Sequence, residues 1–247
     1  MLGTLVNAGA IVLGMVLGRL ARQPWAMENQ LFLKMLLGIA AAAAGLRLCW
    51  VNLWADGFRD ALWQLGLVLL AMILGKFTGR LLGLQSFSNR LGRFARERMA
   101  AMPAGQTPPP SEGLNVGAAL FCAAPLGIYG AVAEGVAGGW LLVAALPLLV
   151  KAAMDGLAAF GFARLFGWGI GLAALPVLAF QGTIFLLVAE FAAPWLAAHQ
   201  LTASVNATLG LLVFCVALVI FEVKRIALAD YLPSLVFAPL LTLWLLR

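Results

Sequence analysis

The chain contains the stretch Phe121-Cys122-Ala123-Ala124-Pro125-Leu126-Gly127-Ile128-Tyr129-Gly130, in which a proline and two glycines interrupt an apolar run. The next apolar run carries Lys151 and Asp155, and a third reads Leu175-Pro176-Val177-Leu178-Ala179-Phe180-Gln181-Gly182. In a lipid bilayer, broken helices and ionisable side chains are costly, and those that persist usually have a role. The stretch from 121 to 182 is therefore where we look for the chemistry of this chain.

The composition is that of a membrane protein. Hydrophobic residues make up 64% and charged residues 11% of the chain, whereas a soluble domain carries about 25% charged residues. The mean hydropathy is +1.01. Such a chain cannot cover itself with polar surface, so lipid must solvate it. We predict an all-α fold, a polytopic transmembrane helical bundle of about eight spans with proline-broken helices in its second half.

The chain divides into three parts. Residues 1–84 hold the first three spans, residues 85–113 form a basic amphipathic cytoplasmic loop, and residues 114–247 hold five spans and the candidate site. Each span is close to the roughly 20 residues that cross the hydrocarbon core. The predicted spans are Leu2–Leu20, Leu31–Cys49, Ala61–Leu82, Leu114–Val132, Trp140–Ala163, Trp168–Val188, Leu201–Phe221 and Ala229–Leu246.

Small residues recur at four-residue intervals in two of the spans. The first span has Ala10, Gly14 and Gly18, and the third has Gly75 and Gly79, followed by Gly83. Stripes of this kind let membrane helices approach closely. The third-span stripe packs against another helix of the chain or across a homodimer, and both alternatives stay open from the sequence.

The loop 85–113 is the main polar stretch. We predict that Ser86 or Ser88 caps a short helix whose apolar face includes Leu91 and Met99 and whose other face carries arginines. A basic amphipathic helix usually lies on an anionic lipid leaflet; the alternative is a regulatory or partner-binding role. The four prolines between Met102 and Pro110 predict a flexible or extended linker.

The positive charges are distributed unevenly over the predicted loops. With the N-terminus outside, twelve of the sixteen basic residues fall on the inner side, three (Arg47, Arg59 and Arg247) fall on the outer side, and Lys151 remains inside the membrane. Cytoplasmic loops of membrane proteins are rich in Lys and Arg. We therefore predict a multi-pass protein of the bacterial inner membrane with both termini in the periplasm, and we expect no nucleic-acid partner.

Lys151 and Asp155 are four residues apart, so they share one face of a helix and can pair. One interpretation is a buried ion pair that fixes helix packing, because an unpaired charge in this position is prohibitively costly. The other is a binding or proton-linked site. At ~1.5 Å per residue, Pro125, Lys151 and Gln181 fall near one depth of the bilayer.

The prolines suggest additional ligands at this depth. Proline removes one helical hydrogen bond, so Pro125 and Pro176 would expose backbone groups, as in the discontinuous helices of transporters. Proline kinks also occur in spans with no binding role. Gln181 supplies a donor and an acceptor, and Tyr129 supplies a hydroxyl. Similar segments at 125–130 and 176–182, and the repeated Val-Asn-Ala at 6–8 and 205–207, hint at a duplicated element.

Two further polar residues complete the candidate substrate-binding set. Asn7 lies near the start of the first span, where it caps or hydrogen-bonds a neighbouring helix or contacts a ligand. Glu134 lies just beyond the fourth span, before a glycine-rich turn.

Sequence motifs of enzymes and metal sites are lacking. We find no HExxH, no phosphate-binding loop and no GxSxG in a usable context. The three cysteines are scattered and His199 is the single histidine, which argues against a metal site. We expect no catalytic residue, no cofactor and no metal.

The chain resembles the YqgA-like bacterial inner-membrane proteins, a family described only as a domain of unknown function. The matching segments extend over nearly the whole chain, and the resemblance implies an inner-membrane protein but brings no substrate with it. The matching segments are Gly3-Thr4-Leu5-Val6-Asn7-Ala8, Leu120-Phe121-Cys122 with Pro125, Lys151 with Asp155-Gly156, Pro176 with Gln181-Gly182, and Leu232-Pro233 with Ala238-Pro239-Leu240-Leu241.

The leading interpretation is a transporter or channel for a small solute or ion, with membrane lipids and that solute as its partners. Lys151 favours an anionic substrate, and the pair with Asp155 favours proton coupling. The alternative is a non-transporting scaffold or assembly factor in which the pair is structural and the loop 85–113 binds a partner.

Overall fold

A computed structural model describes residues 1–21, 23, 25–53, 57–101, 108–138 and 142–245. Several sequence predictions fall outside the described residues: most of the linker at 102–110, the start of the fifth span at Trp140, and the charges of Arg22 and Arg247.

Every regular element among the described residues is helical, which confirms the all-α class. A π-helical turn at Val188–Ala192 joins the ninth helix to the tenth, and a short 3-10 helix, Leu228–Tyr231, precedes the last helix. The α-helices are α1 (Leu2–Leu20), α2 (Met27–Leu53), α3 (Phe58–Leu81), α4 (Leu84–Ala100), α5 (Pro110–Ala123), α6 (Pro125–Val136), α7 (Leu142–Phe166), α8 (Gly169–Leu172), α9 (Ala174–Leu187), α10 (Ala193–Ala198), α11 (Thr202–Ile220) and α12 (Ser234–Leu245).

The predicted number of about eight spans is not confirmed. Within the described residues, six helical stretches are long and apolar enough to cross a membrane, or seven if the bent pair α5–α6 is one span. One of the six is the 55-residue stretch Ala144–Ala198. This stretch turns at Gly167, whose φ of +57° is in the left-handed region. Lys151 and Gln181, on either side of that turn, both lie against Gly127, so the chain folds back on itself there.

The two glycine stripes pack inside the chain. Gly14 faces the backbone of Gly156 in α7, and Gly18 faces Phe160 one turn further on. Gly75 and Gly79 of α3 face Ser234 and Asp230 in the same way. A Cβ at any of these four glycines would collide with the opposite backbone, so the close contacts predicted for them are confirmed. The predicted place of Gly83 in the second stripe is wrong, because Gly83 lies beyond α3 and a Cβ there would meet none of the described residues within 4 Å. Since both stripes are used within the chain, the homodimer stays a prediction.

The described residues form two apolar cores, which divide at the break between α5 and α6. Phe121 of α5 belongs to the core around α1 and the second half of α7. Leu126 and Tyr129 of α6 belong to the core around α11, which packs along α2. The break at Ala124 therefore lies where one core gives way to the other, and α6 also packs against α7 and α9.

The amphipathic helix α4 runs beside α5. Gly83 (φ +66°) precedes the first residue of α4, and the carboxylate of Asp230 accepts the N–H of Gln85 in the first turn at 2.8 Å, so the predicted capping role of Ser86 or Ser88 is wrong. The Oγ of Ser88 instead donates a hydrogen bond to the carbonyl of Ala123, the last residue of α5 (3.0 Å). At the other end, Arg98 pairs with Glu112 at the start of α5 (3.0 Å). The two helices are therefore antiparallel, and the arginines of α4 are exposed.

Candidate functional site

The site is built on the break between α5 and α6. Ala124 has extended backbone angles (φ −74°, ψ 119°), and Pro125 occupies the first position of α6. The two helices bend by 62°. Proline suits this first position because its φ fits a helix start and no N–H is needed there. The predicted proline break at Pro125 is therefore confirmed.

Lys151 and Asp155 form the charged part of the site. Lys151 Nζ donates to Asp155 Oδ2 at 2.5 Å, and the two residues are only 2% and 7% exposed. The predicted i,i+4 pair is confirmed as a buried ion pair. A buried pair of this kind gains from Coulomb attraction but loses hydration at both partners, so it is weak support for stability alone.

Gly127 lets α6 approach this pair. A Cβ at Gly127 would lie 2.8 Å from Lys151 Cε and 3.0 Å from Gln181 Nε2, so any larger residue would displace the ends of these two side chains. The first turn of α6 is thereby in direct contact with α7 and α9. Sequence reasoning missed this role of Gly127, although a glycine two residues after the breaking proline was a signal for a close approach.

Two buried amides extend the polar cluster towards α1. Asn7 Nδ2 donates to Gln181 Oε1 at 3.2 Å, and the Asn7 side chain also interacts with the Asp155 carboxylate. Asn7 and Gln181 are 0% and 1% exposed, and Asn7 Oδ1 and Gln181 Nε2 have no hydrogen-bond partner among the described residues. An unpaired buried amide atom is costly. The predicted contact of Asn7 with a neighbouring helix is thus confirmed, and its contact with a ligand remains a prediction.

A cavity of about 720 Å³ reaches the ion pair from one end of the bundle. Its inner part is formed by Ala124 and Pro125 at the break together with Lys151 and Asp155. Arg164 lies at the outer part, 13 residues further along α7, which is about 20 Å in a helix. Ligand sites are commonly cavities of this size, mostly apolar with a few polar groups.

Two positive side chains, those of Lys34 and Arg164, line the outer part of the cavity. Lys34 forms an ion pair with Glu222, which follows α11, and its hydrogen bond and charge lower the pKa of the Glu222 carboxyl. Arg164 Nη2 donates to the carbonyl of Ala21 at 3.2 Å, and the rings of Trp25 and Phe160 lie 6.1 Å apart beside it. From the sequence, these cations are predicted only to mark the cytoplasmic side, because their convergence on one cavity depends on how the helices pack.

Five of the eight predicted substrate-binding residues are not among those that line the cavity. Asn7 and Gln181 pair with each other behind it, and Glu134, Tyr129 and Pro176 lie elsewhere. Glu134 is buried at the start of α1, where Oε1 accepts the N–H of Gly3 at 2.6 Å. The Tyr129 hydroxyl donates to the carbonyl of Leu228 at 2.5 Å. Pro176 lies in the first turn of α9, where a helix does not need its N–H. Pro176 therefore does not break a helix; the nearest interruption is at Ala173, before α9 begins.

Comparison with known proteins places the chain among membrane proteins. It is 26% identical to the "Uncharacterized membrane protein YdfK" of Bacillus subtilis, over 97% of this chain and 94% of that protein. It is 28% identical to the "Uncharacterized protein YqgA" of Escherichia coli, over 98% and 97% of the two chains. No solved structure matches it significantly. A family model described as "Protein of unknown function (DUF554)" matches residues 2–243, and the chain therefore belongs to this family of membrane proteins.

Proposed function

We propose that the protein moves a small solute or ion across the bacterial inner membrane, with the solute entering the cavity and reaching Lys151 and Asp155. The observation that carries the proposal is a cavity that ends at a buried ion pair beside a broken helix. Broken helices at the bilayer midplane are typical of the substrate sites of transporters, because their free backbone groups contact the substrate.

The charges around the cavity support an orientation. Three basic residues lie towards one end of the bundle: Arg19 and Arg164 near the C-terminal ends of α1 and α7, and Lys34 near the N-terminal end of α2. Positive residues collect on the cytoplasmic side, so the cavity opens to the cytoplasm in this proposal and both termini are periplasmic. Eight crossings follow if α5–α6 is one broken span and the chain crosses once before and once after Gly167.

Lys151, Lys34 and Arg164 favour an anionic solute. Cations that line an entrance raise the local concentration of anions, and a buried cation within a membrane is a preferred anion contact. The inner part of the cavity adds the positive end of the α6 helix dipole.

The alternative function is a membrane scaffold or assembly factor. The observation that favours it is that the Lys151 and Asp155 side chains pair with each other within α7, as a purely structural pair would. The exposed arginine face of α4 would then bind a partner. In that case Asp155→Asn unfolds the protein, whereas a transport variant stays folded and loses flux.

The direct test is flux into proteoliposomes under an imposed pH or voltage gradient, across inorganic ions and small carboxylates. Folded Lys151→Gln and Asp155→Asn variants are compared with wild type, and Lys76→Gln on the outside of α3 serves as the control. We expect flux of at least one anion, strongly reduced in the first two variants and unchanged in the control. Absence of flux for every solute, together with unfolding of the two variants, would instead support the scaffold.

A further inference from the structure

We propose that the first turn of α6, Lys151 and Gln181 together bind one small anion, and that the anion replaces Asp155 as the partner of Lys151, so that Asp155 takes up one proton. The inference rests on the proposed pathway and names its substrate class and coupling. No covalent bond changes: the ammonium of Lys151 exchanges one anionic partner for another, and the proton moves from cavity water to a carboxylate oxygen of Asp155.

Three kinds of donor converge on one point. The Lys151 side chain and Gln181 Nε2 both lie against Gly127, the third residue of α6. Pro125 has no N–H and the Gly127 N–H donates to the carbonyl of Ala124 at 3.0 Å, so α6 contributes mainly the positive end of its dipole. α6 has 12 residues, and its start at Pro125 lines the cavity. A cation, an amide N–H₂ and a helix start in one place are the elements of an anion site.

The unpartnered Gln181 amide is the independent indication of a ligand. Gln181 is 1% exposed, its Nε2 has no acceptor in the part of the chain that the structure describes, and its Oε1 accepts from Asn7. The missing partner of Nε2 is an acceptor atom, which a small anion supplies.

The charges around Asp155 determine what happens when the anion arrives. Lys151 on the same helix is its ion-pair partner, and the thiol of Cys122 on α5 is the next titratable group coupled to both. α1 and α9 present the neutral amides of Asn7 and Gln181. Lys34 and Arg164 lie towards the mouth of the cavity, with Glu222 paired to Lys34.

An anion at Lys151 therefore leaves Asp155 without its partner inside the bundle. A buried, unpaired carboxylate costs far more than a neutral acid, so the group takes a proton instead. About one proton is then taken up for each anion bound. While Asp155 is ionised in the anion-free protein, the anion affinity falls about tenfold for each pH unit of increase. The anion and its proton together add no net charge to the site.

The test is calorimetric titration of the full-length protein in detergent with sodium chloride, formate or acetate, against a sodium gluconate background. Each titration is run in two buffers of different ionisation enthalpy. The slope of the observed binding enthalpy against the buffer ionisation enthalpy gives the number of protons taken up per anion. We expect about one proton per anion for wild type. Asp155→Asn should bind with no proton uptake and no pH dependence, Lys151→Gln should not bind, and Lys76→Gln, outside the cavity, should keep the wild-type affinity and proton number.

Binding without proton uptake in wild type overturns the inference, as does equal uptake in a folded Asp155→Asn variant or no binding of any of the three anions. The wild-type measurement decides the question even if the variants do not fold. Failure of the transport proposal gives a different result: anion binding with proton uptake in detergent, but no flux in proteoliposomes. Flux without linked proton uptake leaves transport standing and removes this inference.

Discussion

Gly127 and Lys151 are in direct contact: a Cβ at position 127 would lie 2.8 Å from Cε of the lysine. Gly127→Ala therefore forces Lys151 away from α6 and disturbs its pairing with Asp155. We expect a loss of about 1–3 kcal/mol of stability, as for other overpacked positions, and a strong loss of flux. Thermal unfolding in detergent and proteoliposome flux are the measurements.

The matched control for this change is Gly66→Ala in α3, where a Cβ meets nothing within 4 Å. Alanine at a helical glycine stabilises by up to about 1 kcal/mol, so this variant should melt at the wild-type temperature or slightly higher. Equal melting temperatures and equal flux for the two variants would show that the Gly127 contact is unimportant.

The contact of α1 with α7 depends on Gly14. A Cβ there would collide with the carbonyl of Gly156, whereas a Cβ at Gly9 of the same helix meets nothing within 4 Å. We expect Gly14→Ala to destabilise the protein by about 1–3 kcal/mol and Gly9→Ala to be neutral or slightly stabilising. A Gly14→Ala variant as stable as Gly9→Ala would contradict this packing.

Ser88 links the amphipathic helix to the broken helix through its hydrogen bond to the Ala123 carbonyl. Ser88→Ala removes the bond and should cost about 0.5–1.5 kcal/mol. Ser86→Ala, at an exposed position of the same turn, should change stability much less. The difference between their unfolding temperatures measures the link, and no difference would show that α4 does not hold the break.

Local patterns were sufficient to predict much of the fold. Helical spans follow from apolar runs, because each backbone group in lipid needs a partner within its own segment. The Gly14 stripe and the Lys151–Asp155 pair are both repeats of four residues, so helical geometry alone brings their members to one face. The break at Pro125 follows from the missing N–H of proline.

Long-range partners could not be predicted in the same way. Asn7 and Gln181 are 174 residues apart, and their hydrogen bond depends on how α1 and α9 pack around α6. Pro176 resembles Pro125 in sequence but falls in the first turn of α9, where proline is tolerated. Glu134 lies close in sequence to the site residues of α6, yet its carboxylate faces the start of α1.

The Glu134 contact yields a further prediction. The carboxylate accepts the N–H of Gly3 and lies 3.9 Å from the N-terminal amine, so it stabilises the positive start of α1. Glu134→Gln should lower stability by about 1–3 kcal/mol while the folded protein keeps its flux. The control is Glu28→Gln, since Glu28 is an exposed residue in the first turn of α2, and its substitution should lower stability by at most about 1 kcal/mol. Lost flux with unchanged stability would restore the predicted substrate-binding role of Glu134.

The most direct test of the central claim is whether water reaches Lys151 from the cytoplasmic side through the cavity. Met154→Cys lines the cavity next to Asp155, and Ile39→Cys lies on the exposed face of α2 outside it. In a background without the native cysteines, a charged, membrane-impermeant thiol reagent is added to inside-out vesicles. We expect the reagent to label Met154→Cys, a transported anion to protect this cysteine, and Ile39→Cys, which faces lipid, to stay unlabelled. An unreactive Met154→Cys in folded protein would contradict an aqueous pathway to the ion pair.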